Sequence, residues 1–178
     1  MDEFTEEIRQ KKRGLMDFDR IRKQERDRTR IDTIKSRLRK YGKDMRRYEA
    51  EKIKIEIARD RLSLGASWST TDAVKGGGSS QEDLQVKMID KIDESSRRMK
   101  LIEIENRAMK MAIADLDDDK KFIVDRMWIA PKEDRLSFRK CGLAINLSTT
   151  TVKRRSDEAL LYIFERLYLI EGGEVDVR

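Results

Sequence analysis

From Ile31 onward apolar residues return at steps of three and four: Ile31, Ile34, Leu38, Tyr41, Met45 and Tyr48. This is the a/d seam of a heptad repeat, and it predicts a helix that buries one narrow stripe against another helix. Beyond Tyr48 the seam blurs, because Lys52 and Arg59 fall at its a position while Ile55 and Leu62 keep d. A second seam runs through Met88, Ile92, Ser95, Met99, Ile102, Asn106, Met109, Ile113 and Leu116. Its polar members, Ser95 and Asn106, are of the kind that weakens a coiled coil and fixes its register. The two helices predicted are each about 35 residues, or about 50 Å, long. An antiparallel hairpin is the simplest arrangement. A parallel dimer along one seam is the rival, and a hairpin that also dimerises satisfies both.

The segments around these helices set the expected organisation. Residues 1–27 are a charged N-terminal arm with a thin apolar thread, Ile8, Leu15, Phe18 and Ile21, equally suited to a frayed helix or to a segment that orders on a partner. Residues 28–116 form the long helical hairpin, with a Gly-rich loop at 63–80. There Gly65 is placed to end the first helix, Gly76, Gly77 and Gly78 break helical structure, and an apolar Trp68 stands among serines and threonines. Residues 117–170 make a separate helical domain and residues 171–178 a tail. That domain opens on Asp117, Asp118 and Asp119, acids suited to a helix N-terminus. Phe122, Ile123, Met127 and Trp128 follow as a buried face, and Pro131 stops the helix. The fold class expected is all-α.

Composition sharpens this picture. Charged residues make up 43% of the 178-residue chain, against roughly 25% in an average globular protein, which suits long helices washed by solvent. The net charge is +6, and its distribution matters more than its size. Residues 1–62 hold 21 Lys and Arg against 14 Asp and Glu, and residues 81–116 hold 7 against 8. Residues 135–156 hold Arg135, Arg139, Lys140, Lys153, Arg154 and Arg155 with no acid. A basic balance of this kind favours a polyanionic partner. The single cysteine, Cys141, forms no internal disulfide and fits a reducing cytoplasm. No apolar run approaches the ~20 residues of a membrane span. The chain has no histidine, which removes the commonest general base and the usual metal ligands. With no nucleophile paired to a base and no phosphate loop, the expectation is a protein that is not an enzyme and needs no cofactor or metal.

The stretch Ser137–Ala159 carries the functional reading. Ser137 caps a short helix whose inner face is Phe138, Cys141, Gly142 and Ile145; Asn146 tolerates the left-handed conformation and makes the turn. Ser148 then caps a second helix. Val152, Ala159, Leu160 and Ile163 face inward, while Thr149, Thr150, Lys153 and Arg154 face outward near the helix start. This is the pattern of a helix-turn-helix, whose second helix enters the major groove of DNA by its N-terminal end. Threonines meet a thymine methyl or a phosphate, and Arg154 suits bidentate pairing with guanine. Lys153, Arg155, Arg139 and Lys140 suit phosphates, and Ser148 stands at the same edge.

The segment "LSFRKCGLAINLSTTTVKRRSDEAL" resembles the helix-turn-helix of sigma factor region four, through Ser137, Gly142, Asn146, Ser148, Thr151, Val152 and Arg154, and "LDDDKKFIVDRMWI" resembles the helix preceding it there. With charged helices, a "GGGSSQED" loop and a second long helix ahead of it, the chain is similar to the phage RinA/ArpU-like transcriptional regulators of Gram-positive hosts over about residues 30–170. The resemblance implies a regulator that activates phage late, packaging or lysis genes by binding promoter double-stranded DNA in the bacterial host cytoplasm. The whole pattern is read as a homodimer or higher homo-oligomer whose readers meet paired half-sites. The chain departs from the pattern in four places. Gly142 stands where alanine is usual, Cys141 where a branched aliphatic is, Asn146 for the turn glycine, and Arg155 where an apolar residue packs. Two other readings stay open: a small-terminase-like factor that marks phage DNA for packaging, and an interaction scaffold whose C-terminal module binds host RNA polymerase.

Overall fold

The computed structural model describes the backbone of residues 3–67 and 81–172, and the side chains of residues 20–64 and 83–172. Every regular element among them is helical: α1 (Glu3–Ser67), α2 (Gln81–Ala114), α3 (Asp118–Val124), α4 (Phe138–Ala144) and α5 (Thr149–Ile170). A π-helical turn, Asp125–Ile129, and a 3-10 turn, Lys132–Asp134, link α3 to α4. Among the described residues no helix is long and apolar enough to cross a membrane. The N-terminal arm is the first part of α1 rather than a separate segment, and α1 continues two residues past Gly65. Trp68, the triple glycine and residues 173–178 of the tail lie outside the described residues, as do the side chains of Ile8, Leu15 and Phe18.

The chain forms two compact units, one of Met1–Lys40 with Met111–Arg178 and one of Tyr41–Lys110. In the second unit α1 and α2 pack antiparallel. Asn106 Nδ2 lies 3.5 Å from Asp44 Oδ2 and also donates to the Ile102 carbonyl at 2.9 Å, while Arg98 reaches Glu51 at 3.8 Å. The α2 seam is buried or half-buried at every predicted position from Met88 to Met109. On α1 the seam changes phase: after Met45 the covered positions are Tyr48, Glu51, Ile55, Ala58 and Leu62. Two successive steps of three carry the stripe past Lys52 and Arg59, which stay exposed, and such a skip in a heptad array locally overwinds the pairing. Glu51 is the buried charge this creates. Lys54 Nζ bonds its Oε1 at 2.7 Å, and that bond, aided by Ser95, holds the Glu51 carboxyl below its ordinary range against the opposing cost of burial.

In the first unit the core comes from every helix except α4's outer face. Ile34 and Leu38 of α1 are fully buried, as are Ile123, Val124, Cys141, Val152, Ala159, Leu160 and Ile163. Each large aliphatic side chain so buried contributes about 1.5–3 kcal/mol. The first three seam residues, Ile31, Ile34 and Leu38, therefore belong to this unit and not to the one holding Tyr41, Met45 and Tyr48. Here α1 meets α5 through the Arg37–Glu171 ion pair and through Arg30, whose guanidinium lies 5.3 Å from the Phe164 ring centre. Arg166 of α5 donates to Asp115, just past α2, at 2.9 Å.

Candidate nucleic-acid interface

Two serine caps and one left-handed residue shape the C-terminal helices. The Ser137 hydroxyl accepts the Lys140 N–H at 3.3 Å and starts α4; the Ser148 hydroxyl accepts the Thr151 N–H at 3.1 Å and starts α5. Each satisfies a backbone donor that the first turn of a helix leaves unpaired. Between them Asn146 adopts φ 54°, and the Leu147 N–H returns to the Gly142 carbonyl at 2.9 Å. The turn is therefore four residues, Ile145–Ser148. Gly142 explains its tightness: a Cβ there would lie 2.5 Å from the Leu147 carbonyl oxygen and 3.5 Å from Val152 Cγ2. The glycine that departs from the sigma-like pattern is thus the residue that lets α4, the turn and α5 close on one another.

Behind this arrangement lies a small apolar cluster of Ile123, Met127, Cys141 and Val152, flanked by Phe138, Ile145 and Leu147. Asp117 starts α3 beside it by accepting the Lys120 N–H at 2.8 Å. The helix expected to run to Pro131 instead widens after Val124, where the Ala130 N–H reaches back five residues to Asp125 O at 2.8 Å. That widened turn carries Trp128, whose Nε1 donates to the fully buried Ser156 hydroxyl at 3.3 Å. Lys35 and Arg39 of α1 lie 5.1 Å and 5.6 Å from the Trp128 ring centre.

The outer face of α5 presents Thr149, Thr150, Lys153 and Arg154, all exposed, in its first two turns. Arg139 and Lys140 of α4 are exposed too. Among the described residues none of Arg139, Lys140 and Lys153 pairs with an acid, and the first turn of α5 contains none. Arg154 keeps 72% of its side chain in solvent, with Glu158 3.7 Å away. The structure separates two candidates from this set. Ser148 has its hydroxyl committed to the cap and to Thr151 Oγ1 at 2.8 Å. Arg155 turns inward to an ion pair with Asp119 of α3; the apolar neighbour expected at that position is replaced by a salt link that ties α3 to α5. Arg135 also spends its Nε on the Ala130 carbonyl, at 3.0 Å.

Chemically, this is an exposed helix end with hydroxyls, a guanidinium and cations that pair with no acid among the described residues, suited to a surface that supplies acceptors and negative charge. Sequence reasoning missed the Trp128–Ser156 bond and the Asp119–Arg155 pair. Both join residues 28 or more positions apart, which periodicity does not register. No protein-family model matches the chain, and neither a curated protein nor a solved structure matches it significantly.

Proposed function

We propose that this chain is a sequence-specific DNA-binding regulator of transcription whose α5 enters the major groove by its N-terminal end. One observation carries the reading. Thr149, Thr150, Lys153 and Arg154 share the exposed side of α5 while Val152, Ser156, Ala159 and Leu160 are buried on the other. With α4 closed on it through Gly142, that exposed side has the form of the recognition element of a helix-turn-helix. In this reading Arg154 pairs with a base edge, Thr149 and Thr150 meet bases or phosphates, and Arg139, Lys140 and Lys153 meet phosphates. The chain binds rather than catalyses. The resemblance to phage RinA/ArpU-like regulators supports promoters of late, packaging or lysis genes as its targets and activation as its effect.

Self-association is part of the proposal, with a second copy of this chain as the partner. In the second unit Ile53, Ile57 and Leu64 on α1, and Leu101 and Ile104 on α2, stand 47–71% exposed. Their steps of four, seven and three are those another helix of this same type requires. A homo-oligomer brings several reading helices to repeated half-sites.

The test is an anisotropy titration against promoter fragments selected from a random pool by the wild-type protein. Arg154→Ala is expected to lose about 1–3 kcal/mol of affinity for the selected site, and Lys153→Ala to weaken all sequences and lower the salt slope by about 1. Failure of the wild type to enrich any sequence, or wild-type binding by a Lys153→Ala/Arg154→Ala double variant, refutes the reading.

A further inference from the structure

Outside α5's outer face, a groove of about 620 Å³ in the first unit is lined by a row of arginines. Arg22, Arg26 and Arg30 of α1 line it together with Glu25, and Phe164 of α5 closes it. The three arginines are four residues apart, so they form a row along one face of the helix at about 6 Å intervals. Arg30 is held in place by the Phe164 ring, 5.3 Å away, and Phe164 in turn stacks on Tyr168 with ring centres 6.4 Å apart and planes 11° apart. The nearest acid to Arg30 is Asp27, at 3.9 Å. Arg22 and Arg26 are exposed and pair with no acid among the described residues. Thr29 and Thr33 also line the groove, but their hydroxyls donate to the Glu25 and Thr29 carbonyls at 3.0 Å and 2.9 Å.

We propose that this arginine-lined groove between α1 and α5 is a second nucleic-acid site, which grips the sugar-phosphate strand of duplex DNA without regard to its sequence. Guanidinium groups bind phosphate oxygens bidentately, and a row of them suits a chain of phosphates better than a single anion. An acidic peptide fits less well. Its backbone N–H groups need acceptors, and among the described residues the groove's only acidic side chain is Glu25, whereas a phosphodiester strand presents acceptors at regular intervals and few donors. Contacts of this type position a protein on a duplex and add affinity without specificity. The proposal deepens the reading of α5 as a DNA-recognition helix and rests on it, since it gives the same unit a strand clamp walled by the helix that carries its reader.

The experiment uses the full chain and a labelled random-sequence DNA duplex of about 40 base pairs, titrated over a series of salt concentrations. The variants are Arg22→Gln/Arg26→Gln and, separately, Lys153→Ala/Arg154→Ala; circular dichroism confirms that each is folded. The groove variant is expected to bind every duplex about tenfold or more weakly and to lower the slope of log K against log salt by about 2. Its preference among sequences is expected to stay unchanged. An unchanged slope overturns the groove proposal even if the α5 variant loses specificity. Loss in the groove variant with no effect in the α5 variant leaves the groove standing and removes the α5 reading. Poly-glutamate binding that matches duplex binding at equal salt, and disappears in the groove variant, assigns the groove to an acidic polypeptide and overturns the proposal.

Discussion

At residue 142 a single methyl group is the difference between a turn that closes and one that does not. The Leu147 carbonyl oxygen sits 2.5 Å from where that methyl would be, and it belongs to backbone that has no flexible end to swing away. Gly142→Ala is therefore expected to destabilise the C-terminal helices by about 1–3 kcal/mol, seen as a lowered midpoint in thermal or urea unfolding; an unchanged midpoint removes the close-approach argument. The sequence marked Gly142 as unusual but not why, because the clash is with a residue across a turn. Asn146, by contrast, was legible: few residues other than glycine tolerate φ 54°, and an asparagine between two apolar-patterned helices announces the turn. The serine caps were legible for the same local reason, since hydroxyl and N–H lie three residues apart.

Elements behave differently, because a helix's existence is local and its partner is not. The seams of α1 and α2 were plain in their spacing. Which seam residues meet which neighbour was not: Ile34 and Leu38 are buried in the unit that holds α5, and the phase change that buries Glu51 in place of Lys52 costs a charged group its water. Periodicity alone put lysine and arginine in the seam, since it has no way to skip a position. For α3 the start was legible from three consecutive aspartates, and the structure selects Asp117 as the cap. The Lys120 backbone N–H, with smaller help from the Lys120 and Arg155 side chains, holds the Asp117 carboxyl below its ordinary value of 3.8. A depressed folded-state pKa means that this contribution is complete above the ordinary carboxylate range and is lost as pH falls through the folded value. Between about pH 7 and about pH 3 the wild type is expected to lose more thermal stability than Asp117→Asn. Parallel loss in both proteins places the acid sensitivity elsewhere.

For the molecule as a whole, the apolar positions that face solvent matter as much as those that do not. Ile57 and Ile104, on the two helices of the second unit, are 47% and 71% exposed, and a lone surface isoleucine needs no explanation. A row of them at heptad steps does. Sedimentation at micromolar concentration is expected to give a mass of two or more 21.0 kDa chains, falling to one in Ile57→Glu/Ile104→Glu; a wild-type monomer at every concentration removes self-association from the account. The reading face on α5 was mostly legible from sequence, through the order of cap, hydroxyls and cations. The arginine groove left only a hint in the spacing of Arg22, Arg26 and Arg30, because its other wall, Phe164, is 134 residues beyond Arg30. The lone thiol offers a way to watch this part of the molecule. Cys141 is fully covered and burial pushes its thiol up from 9.0, with Arg126 opposing weakly. A thiol reagent can reach it only when α4 lifts from the cluster of Ile123, Met127 and Val152 that covers it, so the chain carries a built-in clock whose labelling rate times the opening of its C-terminal helices.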